Sequence, residues 1–208
     1  MKAALDKFEA TGEPYCGGTG KEWADNDAIS RLAPVAMLWA QNPNEAMEMA
    51  IESAKATHGA KEVLDAAAYM TGILTGILRG DSKEKIVSDF YSPLGDDWDE
   101  YSFGDEVAKI VNGSYRKDIP HDIVGDGFAP DTLEAALWAF YRSNDFETGA
   151  ILAVNLGGDA DSTGAVYGQI AGAYYGVQAI PIRWREKVMK REIIVAIADK
   201  LWNLAKDR

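Results

Sequence analysis

The chain has 208 residues, 47% of them hydrophobic, a single cysteine and a formal net charge of −12. Its length suits one domain covering 1–208 with a sizeable core. The acidic balance excludes a nucleic-acid surface, which needs clustered basic residues to displace counterions, and argues against an anionic membrane surface. Lone Cys16 excludes an internal disulfide framework. With no apolar signal core in M-K-A-A-L-D-K-F-E, the expected compartment is reducing and cytoplasmic.

The first 24 residues read as irregular: a short charged helix to Ala10, then breaks at Gly12, Pro14, Gly17, Gly18 and Gly20. Ala24 to Val35 reads as a loop running into a helix. Pro43 and Asn44 open a helix from Glu45 to Lys55. Lys61 to Leu78 places Val63, Ala67, Met70, Leu74 and Ile77 at alternating steps of four and three, the helical period. Ser82 starts a short helix extending to Phe90. The stretch from 91 to 130 is the least regular. It holds Trp98, Tyr101 and Phe103 among acidic residues, read as packing under a loop, and a His121, Asp122, Asp126 group that reads as a polar loop or a metal cluster.

Asp131 is expected to cap a helix with Leu133, Ala136, Leu137 and Phe140 on one stripe. Asn144 or Asp145 restarts a helix to about Val154, and Arg185 to Lys206 reads as one amphipathic helix. No stretch sustains period-two alternation, so the expected fold is all-α. Between these last helices lies Val154 to Gly176, an acidic turn followed by a helix with Gly164, Gly168, Gly172 and Gly176 at four-residue intervals. Glycine costs a helix interior about 1 kcal/mol relative to alanine. The pattern therefore predicts a face on which other backbones approach closely, in a helix at the centre of the protein. Thr163 to Ile180 carries no charge over 18 residues, but Gln169, Gln178 and the preceding aspartates favour a buried helix over a membrane span.

Asp159, Asp161 and Ser162 form a set of hard oxygen donors suited to Mg²⁺, Mn²⁺ or Ca²⁺, and Gly157 and Gly158 permit the turn they need. Spacing alone leaves two readings open, a metal site or a helix cap with Asp159 at the positive end of the helix. A calcium-binding loop of the D-x-D type fails, because its twelfth position from Asp159 is Ile170.

The stretch L-G-G-D-A-D-S-T-G-A-V-Y-G-Q-I-A-G-A-Y-Y-G resembles the C-terminal signature of the ADP-ribosylglycohydrolase family. Three further segments resemble that family in the same order. Asn26 to Pro34, N-D-A-I-S-R-L-A-P, is similar to its N-G-[SA]-x-M-R-x-x-P loop. Ala56-Thr57-His58 with Ala66-Ala67-Ala68 is similar to its T-H segment. Gly125 to Phe140 is similar to its G-x-G-Y-x-x-D-T-L-E-A-A-L-W-A-F segment.

The resemblance implies a compact orthogonal helical bundle around a binuclear Mg²⁺ or Mn²⁺ centre. It implies hydrolysis of the glycosidic bond joining ADP-ribose to a modified protein. Carried over by position, Asp159 and Asp161 would be catalytic, and with Ser162 would hold metal. Asn26, Asp27, His58, Gly125, Gly127 and Phe128 would line the ADP-ribose cleft.

Relative to that pattern the sequence reads as N-terminally shortened. It carries no T-[DE]-D-T-like motif, which would supply the other half of the metal site. Asp25 and Asp27 stand where the family loop has glycine, and Ser30 where it has methionine. Activity would then need an alternative ligand set or a complementing chain; otherwise the role is non-catalytic ADP-ribose or partner binding. If the sequence is one fragment of a split enzyme, the apolar face so exposed would drive homodimerisation.

Overall fold

A helix that is apolar all round must be buried on every side, and the helix with that property organises the molecule. In a computed structural model, which describes residues 1–94, 102–116 and 123–206, this helix is α4 (Lys61–Leu78). Nearly every side chain from Val63 to Ile77 is buried. Around it pack α2 (Ala33–Leu38), α3 (Pro43–Lys55), α6 (Asp105–Val111), α7 (Ala129–Arg142) and α9 (Ala160–Tyr175). Its one buried charge, Asp65, accepts from the Gly104 N–H at 2.7 Å and from Lys61 Nζ at 2.7 and 3.0 Å. A buried carboxylate needs such partners to stay charged.

The other helices are α1 (Lys2–Thr11), α5 (Lys83–Ile86), α8 (Phe146–Asn155), α10 (Ile182–Arg185) and α11 (Arg191–Lys206). Among the described residues the only strand-like pairing is two isolated bridges, Gly18 with His58 and Asp25 with Phe128. The fold is all-α, as the period analysis expects. Among those residues no helix is long and apolar enough to cross a membrane.

Several boundaries differ from expectation, each for a local reason. α7 begins at Ala129, with Pro130 in its first turn; Asp131 sits inside that turn and does not cap it. Pro at a first helical position loses no hydrogen bond, so the helix can start before the aspartate. α5 ends at Ile86 and does not reach Phe90. The C-terminal segment is not one helix from Arg185: α10 ends there, residues 186–190 intervene, the last of them Lys190 with φ +56°, and α11 begins at Arg191. Asp145 does cap α8, accepting from the Thr148 N–H at 2.8 Å.

The glycine face of α9 is the larger correction. A Cβ at Gly168 or Gly172 would meet nothing within 4 Å, and one at Gly164 would meet only Val154 Cγ1 at 3.1 Å. No backbone approaches that face. α9 buries its opposite side through Thr163, Val166, Tyr167, Ile170 and Ala171. The close approach lies on α8, where Gly149 faces the Tyr167 hydroxyl, which donates to Phe146 O at 3.0 Å. Phe103 packs edge-on to Tyr69 at 5.8 Å. Trp98, Tyr101, His121 and Asp122 lie outside the described residues.

Candidate active site and metal-binding groups

Four short segments, far apart in sequence, are zipped together at one end of the bundle. The Asn26 loop and the Gly125–Phe128 loop run antiparallel through the Asp25–Phe128 bridge. The Asn26 N–H donates to Gly127 O at 2.9 Å and the Ala129 N–H to Ala24 O at 2.9 Å. The Asp159 N–H then donates to Gly125 O at 2.5 Å, which fastens the start of α9 to the same loop. On the other side, the Gly59 N–H donates to Gly18 O at 2.9 Å, and Gly17 leaves no room for a Cβ against the His58 backbone.

Asn26 is the hinge of this cluster. It is buried, and its Nδ2 donates both to Thr132 Oγ1 at 2.9 Å and to Asp159 Oδ2 at 2.7 Å. That amide donor is the main influence holding the Asp159 carboxyl below its usual range; hydrogen bonds with Ser162 and Asp161 act in the same direction. Asp159 occupies the N-cap position of α9, yet its side chain makes no capping hydrogen bond. It points to Asn26 instead. Asp161, exposed, and Ser162, half-buried, follow in the first turn. Gln169, one face further along α9, donates to Ile29 O at 3.0 Å and accepts from the Ala33 N–H at 2.7 Å, fixing the far end of the Asn26 loop.

The residues expected in the cleft are therefore neighbours. Asn26, Gly125, Gly127, Phe128 and Asp159 share one hydrogen-bonded junction. Asp27 and His58 flank it, and the Phe128 ring lies under Lys21 Nζ at 5.4 Å. Asp159, Asp161 and Ser162 supply only oxygen donors, a chemistry that fits Mg²⁺ or Mn²⁺. A carboxyl held ionised and not used for capping suits that role.

The sequence reading did not find the pairing of Asp25 with His58. His58 Nε2 lies 2.6 Å from Asp25 Oδ1, and Asp25, Asp27 and His58 each present a ligand atom within 4.8 Å of the others. Burial pushes the His58 imidazole below its ordinary pKa, against the opposing pull of the Asp25 charge. Behind the ring, Thr57 Oγ1 lies 2.7 Å from Nδ1 and accepts from Arg31 at 2.7 Å. Thr57, Arg31 and Thr132 all fall inside the segments quoted above, but no spacing rule assigns them partners 26 or 106 residues away.

A family model described as ADP-ribosylglycohydrolase matches residues 1–208. The chain is 34% identical over 202 residues to a Serratia proteamaculans (strain 568) protein named ADP-ribosylarginine hydrolase Tri1, covering 97% of this chain and 53% of that one. It is 28% identical over 186 residues to the ADP-ribosyl-[dinitrogen reductase] glycohydrolase of Rhodospirillum rubrum, covering 88% and 56%. A solved structure titled ADP-ribosylglycohydrolase-related protein complex superposes with a TM-score of 0.87 at 40% identity, covering 98% of this chain and 68% of that one. The chain spans about half the length of the curated relatives it matches.

Proposed function

The chain belongs to the ADP-ribosylglycohydrolase family, and from that premise we propose that it hydrolyses the N-glycosidic bond between ADP-ribose and a protein arginine with the help of a divalent metal. One observation carries the reading: Asn26, the Gly125–Phe128 loop and Asp159 meet in a single junction, with Asn26 Nδ2 2.7 Å from Asp159 Oδ2. The arginine acceptor is supported by the names of the relatives, two of which are ADP-ribosylarginine hydrolases.

In this reading Asp159, Asp161 and Ser162 would hold Mg²⁺ or Mn²⁺. Bound there, the ion would supply Lewis-acid polarisation and a more acidic water. The remaining work belongs to the chain. Phe128 offers a ring face for the adenine or ribose. The N-terminus of α7 opens next to Phe128, and the positive end of its dipole favours the anionic diphosphate. Exposed Asp161 accepts a proton from the attacking water as its oxygen bonds to the anomeric carbon. The carbon–nitrogen bond breaks with its electron pair staying on the guanidine nitrogen, and the proton taken up by Asp161 passes to that nitrogen as it leaves.

Incubating the protein with Mn²⁺ and an ADP-ribosylated arginine substrate is expected to release ADP-ribose. Asp159→Asn and Asp161→Asn are each expected to reduce release at least about 100-fold, the scale of losing a general base or charge stabiliser. No release by the wild-type chain with either Mn²⁺ or Mg²⁺ sinks the proposal.

A second reading, binding of ADP-ribose without hydrolysis, is favoured by the carboxylates of Asp25 and Asp27 in a loop where glycine is expected. Calorimetry separates the two: ADP-ribose binding with no turnover supports it, and turnover removes it.

A further inference from the structure

No chemical step of the hydrolytic scheme uses Asp25, Asp27 or His58, which flank the cleft, and their arrangement has a chemistry of its own. His58 is fully buried, yet its Nε2 has no hydrogen-bond partner. Asp25 Oδ1 lies 2.6 Å away as an ion-pair partner without completing a well-formed hydrogen bond. A buried ring nitrogen without a well-formed hydrogen bond is costly, and a carboxylate oxygen of Asp25 and one of Asp27 lie within 4.8 Å of this histidine's ligand atom. The imidazole forms the floor. Half-exposed Asp25 and Asp27 form the rim, which leaves a path from solvent.

We infer that Asp25, Asp27 and His58 form a second divalent-cation site, separate from the Asp159 group and selective for a first-row ion of the Zn²⁺ type. The ligand atoms already lie within 4.8 Å of one another. Metal–ligand bonds of about 2.0–2.2 Å place neighbouring ligands roughly 3 Å apart. An ion therefore opens the Asp25–His58 gap by a few tenths of an ångström and draws Asp27 in slightly. Imidazole with two carboxylates favours Zn²⁺, Co²⁺ or Mn²⁺ over Mg²⁺ and Ca²⁺, which prefer all-oxygen sets. Two carboxylates with one dication are neutral overall, so the site removes the negative charge that Asp25 and Asp27 otherwise place beside an anionic ligand.

The shell behind the ring is suited to the exchange. Thr57 Oγ1 sits between Arg31 and His58 Nδ1. With the ring proton on Nε2, the Thr57 hydroxyl accepts from Arg31 and donates to Nδ1. When an ion takes Nε2 the ring proton sits on Nδ1. Thr57 then accepts from both sides, because a hydroxyl oxygen has two lone pairs.

The test uses the full chain carrying Asp159→Asn and Asp161→Asn, so that the oxygen-only group is disabled, and His121→Gln, so that His58 is the remaining histidine of the chain's two. Equilibrium dialysis with Zn²⁺ is expected to find one equivalent bound. The His58 Nε2 resonance is expected to shift on Zn²⁺ addition, while Mg²⁺ leaves it unmoved. Asp27→Asn, a half-buried change compatible with folding, should weaken Zn²⁺ binding more than tenfold, and Asp25→Gly with Asp27→Gly should abolish it. Two results overturn the inference: unchanged Zn²⁺ stoichiometry and affinity in the double glycine variant, or an Nε2 resonance insensitive to Zn²⁺. None of these readouts depends on ADP-ribose release, so failure here leaves the hydrolase proposal standing, and the reverse also holds.

Discussion

Asp159 reaches its place through two adjacent glycines that are not equivalent. Gly157 and Gly158 adopt φ +79° and +61°, where a side chain strains the backbone. A Cβ on Gly157 would meet nothing within 4 Å, whereas one on Gly158 would lie 2.2 Å from Gly125 O. That carbonyl accepts the Asp159 N–H at 2.5 Å, so displacing it moves the carboxylate. Gly157→Ala is expected to cost about 1–2 kcal/mol, the left-handed penalty alone. Gly158→Ala should cost about 1–3 kcal/mol more and should also weaken Mn²⁺ binding. Urea unfolding and Mn²⁺ titration of both variants check this; equal losses in the two would show that contact with Gly125 does not set the turn. At this scale the spaced motifs exposed residues that the fold brings together, namely Asn26, His58, the Gly125–Phe128 loop and the Asp159 turn. It concealed the Asp25–His58 approach. That contact depends on Gly17 and Gly18 clamping the His58 backbone, and a clamp between segments this far apart leaves no periodic trace.

Among the elements, α4 was legible to the residue because its steps of four and three run unbroken from Val63 to Ile77 and its neighbours are glycine and a capping serine. α9 was misread. Its regular glycines share a helical face, and face-sharing alone does not say which face is buried. The apolar residues that decide the matter, Val166, Tyr167 and Ile170, lie on the opposite side. The break at Lys190 was invisible because a left-handed lysine has no compositional signature. The correction to α9 has a measurable consequence. Gly168 sits mid-helix with open space around its Cβ position, so Gly168→Ala should stabilise the protein by about 1 kcal/mol through helix propensity and a less flexible unfolded chain. At Gly164 the Val154 methyl stands 3.1 Å from the new Cβ, and the gain should be smaller or absent. Chemical denaturation of the two variants reads the difference directly; destabilisation by Gly168→Ala would mean that this face is covered in solution.

For the molecule as a whole, charge sets how stability depends on pH and salt. A net charge of −12 strains the compact state at neutral pH through self-repulsion. The carboxyls of Asp145, Asp81, Glu106 and Asp159 stabilise the fold at neutral pH, because each is held below its ordinary pKa in the folded protein. The causes differ: for Asp145 the Thr148 N–H, for Glu106 hydrogen bonding to Lys109, for Asp159 the Asn26 amide, and for Asp81 Lys85 and Tyr91 outweighing burial. A depressed carboxyl contributes its full stability above the unfolded value, about 4, and loses it as pH falls through the lower folded value. Acidification from pH 7 to about 5.5 leaves these contributions intact, and below about pH 4 they are lost. Added salt should therefore raise the melting temperature at pH 7, since a Debye length near 8 Å at 0.15 M screens charges spread over the surface. The increment should shrink at more acidic pH as surface carboxylates with ordinary pKa begin to protonate. Near the isoelectric point of about 4.6 the increment should be smallest. At pH 3.5 most of the 33 acidic side chains are protonated while the 21 Lys and Arg and both His are charged. Salt then again screens self-repulsion, now between positive charges, although the hydrogen bonds to ionised carboxylates are gone. Melting curves at low and physiological salt at pH 7, 5.5 and 3.5 check the sequence of effects. A salt increment at pH 5.5 as large and positive as at pH 7 would mean that surface repulsion is not what limits this acidic fold at neutral pH.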